Sequence, residues 1–293
     1  MDYLNTLEKA ITYIEEHLGD VGAEEVACHA GYSYYHLTRL FSAMIGESIG
    51  SYIKKRRLAE SAQKLLYTDM RVLDIAMQYG FESSEAFSRA FKSVYKTSPV
   101  IYRKNRIETI ISAKKPLSQQ LLSHVAFGVT VKPEIIHTSD ILVAGIRGKT
   151  SLNHNSIPLL WQQFMNLHAS IPNTSPSGRT FGICEYDESE SCDTPYTMNG
   201  DVIFSEVVGA EVKSFESMPD WVIAKTIKAG KFAVFTHKGS LKNLNKTYNY
   251  IWGTWFLGSK VELDCREDFE VYDRRFLGYD HPESQMDIYI PVL

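Results

Sequence analysis

The stretch Ile75–Tyr102, IAMQYGFESSEAFSRAFKSVYKTSPVIY, is written once already upstream, at Val26–Tyr52, as VACHAGYSYYHLTRLFSAMIGESIGSY. Ala27-Cys28-His29-Ala30-Gly31-Tyr32 aligns with Ala76-Met77-Gln78-Tyr79-Gly80-Phe81 at an offset of 49, and Arg39-Leu40-Phe41 aligns with Arg89-Ala90-Phe91 at an offset of 50. One residue has therefore been inserted just after the glycine. A fixed-period repeat means that one supersecondary unit has been built twice.

Each copy reads as helix, tight turn, helix. Gly31 and Gly80 end the first helices, because glycine accepts the left-handed conformation that follows a helix C-terminus. Ser33 caps the second helix of copy one, and Ser83 or Ser84 that of copy two. Leu37, Leu40, Phe41 and Met44 then form an apolar stripe at helical spacing, matched by Phe87, Ala90, Phe91 and Val94. This is the helix-turn-helix pattern, whose second helix enters the major groove of DNA. One such match is weak, since any helical hairpin produces it; two about 50 residues apart are specific.

Around these copies the first third is helical throughout. Leu4–Leu18 carries one apolar stripe, Tyr52–Tyr67 forms a long helix joining the copies, and Ser98-Pro99 opens a short final helix with proline at its first position. Ser112–Lys132 reads as a connection with a short helix over Leu117–Phe127. Beyond it strands appear: Glu134–Arg147, Phe181–Tyr186, Val202–Val207, Trp221–Ile227 with Lys231–His237, Phe269–Tyr272 and Met286–Pro291. Helices at Ile157–His168 and Leu244–Trp255 separate them, and Asp187–Gly200 is a polar loop. The order β-α-β-β occurs twice, which implies an α+β domain on a mainly antiparallel sheet. The fold class is multi-domain: an all-α domain over 1–108, a linker over 109–132, and an α+β domain over 133–293.

Composition sets bounds. The 293 residues suffice for two domains with separate cores, and no apolar run reaches the ~18 residues of a membrane span. The acidic, amphipathic start is no secretory signal, so a cytoplasmic location and no membrane partner are expected. The four cysteines have no metal-ligand spacing and read as reduced thiols; neither a metal nor a cofactor is expected. Residues 1–109 hold 14 basic and 14 acidic side chains, so any phosphate contact must come from local patches such as Lys54-Lys55-Arg56-Arg57.

The motifs GYSYYHLTRLFSAMIGESIGSYIKKRRL and IAMQYGFESSEAFSRAFKSVYKTSPVIYR resemble the DNA-binding domain of AraC/XylS-family transcription regulators. GKFAVFTHKGS, TYNYIWGTWFLGS, DFEVYD and the terminal MDIYIPV resemble the GyrI-like effector-binding domain, a tandem βαββ fold. Together they imply a sequence-specific DNA-binding regulator modulated by a small ligand, aromatic or cationic, with double-stranded DNA at an asymmetric promoter site, the effector, and RNA polymerase as partners, and no enzymatic activity. The alternative is a GyrI-like hydrolase or drug scavenger tethered to a DNA-binding domain.

Candidate residues follow. The exposed face of the first recognition helix offers Tyr34, Tyr35, His36, Thr38 and Arg39; that of the second offers Ser83, Ser84, Glu85, Ser88 and Arg89. Arginine can bond guanine O6 and N7 together, while Tyr and Thr reach a thymine methyl or a phosphate. The bland reading of Arg39 and Arg89 is an ion pair closing the helix bundle. Glu85 argues for cytosine readout or for weaker contact by the second unit. Lys54, Arg56 and Arg57 are candidates for backbone phosphates. For the ligand, Glu270 stands out as a carboxylate inside an apolar strand, and by the resemblance it lines the cavity; otherwise it is an outward-facing strand carboxylate. Trp161, Tyr186, Tyr248, Trp252, Trp255 and Tyr289 are candidate aromatic walls, suited to a cation through stacking and cation–π attraction.

Overall fold

The computed structural model describes residues 3–106, 114–151, 153–185, 203–257, 259 and 261–293. The chain divides into two compact units: Met1–Val131 with Asn245–Lys260, and Lys132–Leu244 with Val261–Leu293.

The first unit contains α1 (Tyr3–Glu16), α2 (Ala23–His29), α3 (Tyr34–Ile45), α4 (Ile49–Tyr67), α5 (Val72–Gln78), α6 (Ser84–Tyr95), α7 (Pro99–Asn105) and α8 (Gln119–Phe127). The repeat is visible in its punctuation. Gly31 and Gly80 both adopt positive φ, at 74° and 68°. Ser33 and Ser83 accept from the backbone N–H groups of His36 and Ala86. Fifty residues apart again, Ser48 caps α4 and Ser98 caps α7 by the same bond. The inserted residue falls in the α5–α6 turn, where the chain has no helical register to disturb. Phe41 and Phe91, equivalent by the repeat, are both fully buried with Leu37, Phe87, Ile75 and Leu7 in one core. Tyr52 and Tyr102 pack edge-on against these two phenylalanines.

Asn245–Lys260 joins this unit, although the sequence reading placed it inside a contiguous 133–293 domain. The segment consists of α10 (Leu244–Tyr250) and a π-helical turn, Ile251–Phe256. Buried polar groups explain its placement. Glu47 holds Lys55 at 2.6 Å and Lys114 at 2.7 Å. Lys55 also donates to the Thr254 carbonyl, and Lys114 to the Gly253 carbonyl and the Thr254 hydroxyl. Two lysines sharing one buried carboxylate need these acceptors, since an unsolvated ammonium is costly. Tyr250 donates to the Val131 carbonyl and His124 meets Thr247 at 2.7 Å.

The second unit is an eight-stranded antiparallel sheet of β1 (Glu134–Thr138), β2 (Ile141–Thr150), β3 (Thr180–Glu185), β4 (Phe204–Glu211), β5 (Ile223–Ile227), β6 (Gly230–Lys238), β7 (Phe269–Tyr272) and β8 (Gln285–Val292). Its order is β1-β6-β8-β7-β3-β4-β2-β5. Each sequence half contributes three adjacent strands, β2-β4-β3 and β6-β8-β7, and its short leading strand crosses to the other half. Thus β1 pairs with β6, and β5 with β2. The run Glu134–Arg147, read as one strand, is two, because Ser139-Asp140 turns the chain and Asp140 accepts the Ala229 N–H at 2.7 Å. One face of the sheet buries Val143, Phe181, Ile183, Val207, Phe232, Phe269 and Val271. On the opposite face, Ala144, Val208 and Ala210 lie under Leu160 and Phe164 of α9 (Ile157–Leu167).

Cys28 and Cys184 are not in disulfides. Cys265 is disulfide-bonded, which corrects the expectation of reduced thiols throughout. Among the described residues, no helix is long and apolar enough to cross a membrane, and no group of three or more His, Cys, Asp or Glu side chains is placed to hold a metal ion.

Candidate functional site

The first recognition helix, α3, turns its core stripe inward through Leu37, Phe41 and Ile45. That leaves Tyr34 50% and Tyr35 70% exposed, with His36 and Arg39 exposed beside them. Large exposed aromatics on a short helix lack a core reason and suit a flat polar partner. The Arg39 guanidinium lies over the Tyr35 ring, 5.6 Å from its centroid. His36 stacks on Tyr32. Thr38 is half-buried, and its hydroxyl is enclosed without a partner among the described residues.

The second recognition helix, α6, exposes Glu85 and Arg89 and half-buries Ser84 and Ser88. Ser83 is spent on the cap. Glu85 sits in the first turn, where its own backbone N–H and the Ser83 and Ser84 hydroxyls hold its carboxyl below the usual range. Neither Arg39 nor Arg89 closes the bundle through an ion pair among the described residues, so both remain on the surface.

The basic run on α4 needs correction. Only Lys54 is exposed. Arg56 is 3% exposed and cannot reach a phosphate. Its guanidinium grips Glu15 with two nitrogens, reaches Glu60 at 2.8 Å, and donates to the Lys114 carbonyl. Arg57 donates to the Leu18 and Val21 carbonyls beyond α1. Helical spacing turns 54 outward and 55–57 toward neighbouring helices; a run of four charges conceals that.

In the second unit, cross-strand register builds a group of polar side chains under α9. Gly182 on β3 pairs with Glu270 on β7 and with Val208 on β4, and Cys184 pairs with Glu206. Cross-strand partners share a face, so Gly182, Glu206 and Glu270 are neighbours. A side chain on Gly182 would meet Glu206 Oε1 at 2.8 Å, Glu270 Oε2 at 3.5 Å and Trp161 Cζ2 at 3.7 Å. Glycine here leaves room for the three to converge. Tyr272 donates to Glu270 Oε2 at 2.5 Å, and its ring meets Trp161 edge-on at 4.7 Å. Burial raises the Tyr272 phenol well above its ordinary value, and Glu270 raises it further, so it stays a donor.

Glu206 was missed in the sequence. It is 5% exposed, and burial pushes its carboxyl well above the usual range, with Glu270, Asp268 and Glu185 adding repulsion. Among the described residues no cation pairs with it. Its position in IFSEVV gives only its parity, and parity does not tell an α9-covered face from a solvated one.

The predicted aromatic walls divide. Trp161 stands with Glu270. Tyr289 stacks on Phe269 at 4.6 Å, on the face opposite Glu270. Tyr248, Trp252 and Trp255 belong to the segment carried in the first unit, where Trp252 packs edge-on against Phe256. Tyr186 and the loop Asp187–Gly200 lie outside the described residues.

Comparison with known proteins matches both halves. Residues 26–105 match a helix-turn-helix domain model, and residues 134–292, more than half of the chain, match the model described as integron-associated effector binding protein. The right origin-binding protein of Escherichia coli is 24% identical over 278 residues, covering 93% of this chain and 91% of that one. The transcriptional regulator Rob of Salmonella typhimurium is 25% identical over 276 residues, with the same coverage. The uncharacterized HTH-type transcriptional regulator YbfP of Bacillus subtilis is 44% identical over 104 residues, and the match spans only 35% of either chain. With two helix-turn-helix units ahead of an effector-binding sheet domain, this chain belongs to the AraC/XylS-family transcription regulators that carry a GyrI-like, integron-associated effector-binding domain.

Proposed function

We propose that this regulator reads an asymmetric DNA site through α3 and α6, and that a cationic aromatic ligand held at Glu270 alters that reading. In this account α3 supplies most of the sequence preference, through Arg39 and the exposed tyrosines. Lys54, Arg89, Lys92 and Lys96 are among the exposed cations available for backbone phosphates. Two reading helices on one chain fit successive major grooves, about 34 Å apart, without a two-fold operator. Action on cytoplasmic DNA, with RNA polymerase as the further partner, follows from this reading.

The observation that carries the ligand half is the Glu270 site, a carboxylate hydrogen-bonded by Tyr272 and flanked by Trp161. A carboxylate among aromatic faces favours a cation that is flat and apolar. The short Tyr272–Glu270 bond also supports a second reading, hydrolysis of a small electrophile with Glu270 polarising water; we favour binding without turnover.

Fluorescence anisotropy of a promoter-derived duplex, with salt varied and aromatic cations added, tests the proposal. Tight, salt-sensitive binding should shift on saturation with a cation by about 5- to 150-fold, the usual range of allosteric coupling. Glu270→Gln should weaken cations selectively. DNA affinity unmoved by a cation that does bind points to a scavenger, and consumption of the ligand to a hydrolase.

A further inference from the structure

We infer that Glu206 is a second, proton-exchanging carboxylate of the ligand site, and that with Glu270 it selects ligands carrying two positive charges over those carrying one. The inference rests on the reading of Glu270 as the ligand carboxylate.

The geometry places the pair across a single side chain's width. Oxygens of both carboxyl groups approach the one point where a Gly182 side chain would begin. Glu206 is almost fully enclosed, and a buried carboxylate is tolerated only when something of opposite charge compensates it. Among the described residues, no element around it supplies that charge. From β7 it faces Glu270, Asp268 and Tyr272, from β3 Cys184 and Glu185, and from α9 Trp161. Its register partner on β2 is Gly148, which has no side chain. The nearby cations Arg147 and Lys225 are bound to Glu185, at 2.6 and 2.8 Å.

Burial and the neighbouring acids Glu270, Asp268 and Glu185 favour the protonated form of the Glu206 carboxyl in the empty protein. A singly charged ligand meets Glu270 and leaves that proton in place. A ligand with a second cationic group ionises Glu206: the O–H bond breaks, the proton passes to buffer, and the carboxylate pairs with the ligand. Binding of a dication is then coupled to proton release, while binding of a monocation is not. Dication affinity rises with pH by up to tenfold per unit while Glu206 remains protonated in the free protein.

Ethidium and propidium make a matched test, because they share one ring system and propidium adds a second quaternary ammonium on a short alkyl arm. Isothermal titration of the full chain in two buffers of different ionisation enthalpy, without DNA, counts the protons. Ethidium should release almost none, and propidium measurably more, up to one per site. Glu206→Gln keeps the shape of the neutral acid; it should abolish both the proton release and the preference for propidium. Propidium binding without proton release, or a propidium preference that survives Glu206→Gln, overturns the inference while leaving Glu270 as the ligand carboxylate. Binding of neither dye to the native chain overturns the Glu270 reading, and this inference with it. Should Glu206→Gln not fold, the proton count on the native chain decides alone.

Discussion

The two helix-turn-helix units share a skeleton and differ in what they show to DNA. Arg39 and Arg89 occupy equivalent positions on α3 and α6. One turn earlier, α3 places Tyr35 under its arginine and α6 places Glu85 beside its own. An aromatic ring does not compete with DNA for the guanidinium's hydrogen-bond donors. A carboxylate competes with DNA for the same charge. The repeat thus shares the turn glycine, the cap serine and the buried phenylalanine but not the exposed chemistry, and on the proposed reading α3 is the stronger reader and α6 the weaker.

The skeletons differ as well, and the largest expected effect lies at the turn glycine. A side chain on Gly31 would project into open space, whereas one on Gly80 would meet the Gly19 carbonyl at 2.3 Å and the Arg57 guanidinium at 3.3 Å. Both glycines hold positive φ. Gly31→Ala should therefore cost about 1–2 kcal/mol of folding stability from the backbone alone. Gly80→Ala should cost about 3 kcal/mol or more, because backbone must move as well. Urea denaturation of the two variants checks this, and equal costs would show that the second turn is no tighter than the first.

A smaller effect separates the readers. Arg39→Ala should lose about 1–3 kcal/mol on the specific DNA site, and Arg89→Ala less than half of that. Affinities on specific and random duplexes decide the matter; an equal loss on random DNA would reduce Arg39 to a phosphate contact. Smallest of all, Glu85→Gln should tighten DNA binding by roughly twofold, the scale of one exposed charge. Its failure to do so would mean that Glu85 reads a cytosine amine and is no impediment.

Much of this architecture was legible beforehand. The offsets of 49 and 50 locate the inserted residue in the second turn, and Phe41 and Phe91 declare the core by spacing alone. Charge was read less well. Lys54-Lys55-Arg56-Arg57 looks like a phosphate patch, yet α4 is covered on several sides and one residue of rotation decides between solvent and Glu15. The strand exchange was invisible for a different reason: β1 and β5 are short, and no local pattern states which distant strand a short strand will join. Glu206 was hidden by the same limit, since its neighbours come from β3, β7 and α9, far along the chain.

The crossing of β1 and β5 also bears on how the protein is made. Roughly ninety residues separate Thr138, at the end of β1, from Gly230, where its partner β6 begins. At about 5–20 residues per second, a nascent chain holds β1 unpartnered for roughly 5–20 s. The outer edge of β2 waits similarly for β5. Neither half of the sheet can be completed during its own synthesis, so the ribosome delivers two open edges at once, an invitation to chaperones and a risk of aggregation. A stop codon anywhere before β6 would leave a sheet fragment with no finished edge, and the second half expressed alone would lack the strand that closes it.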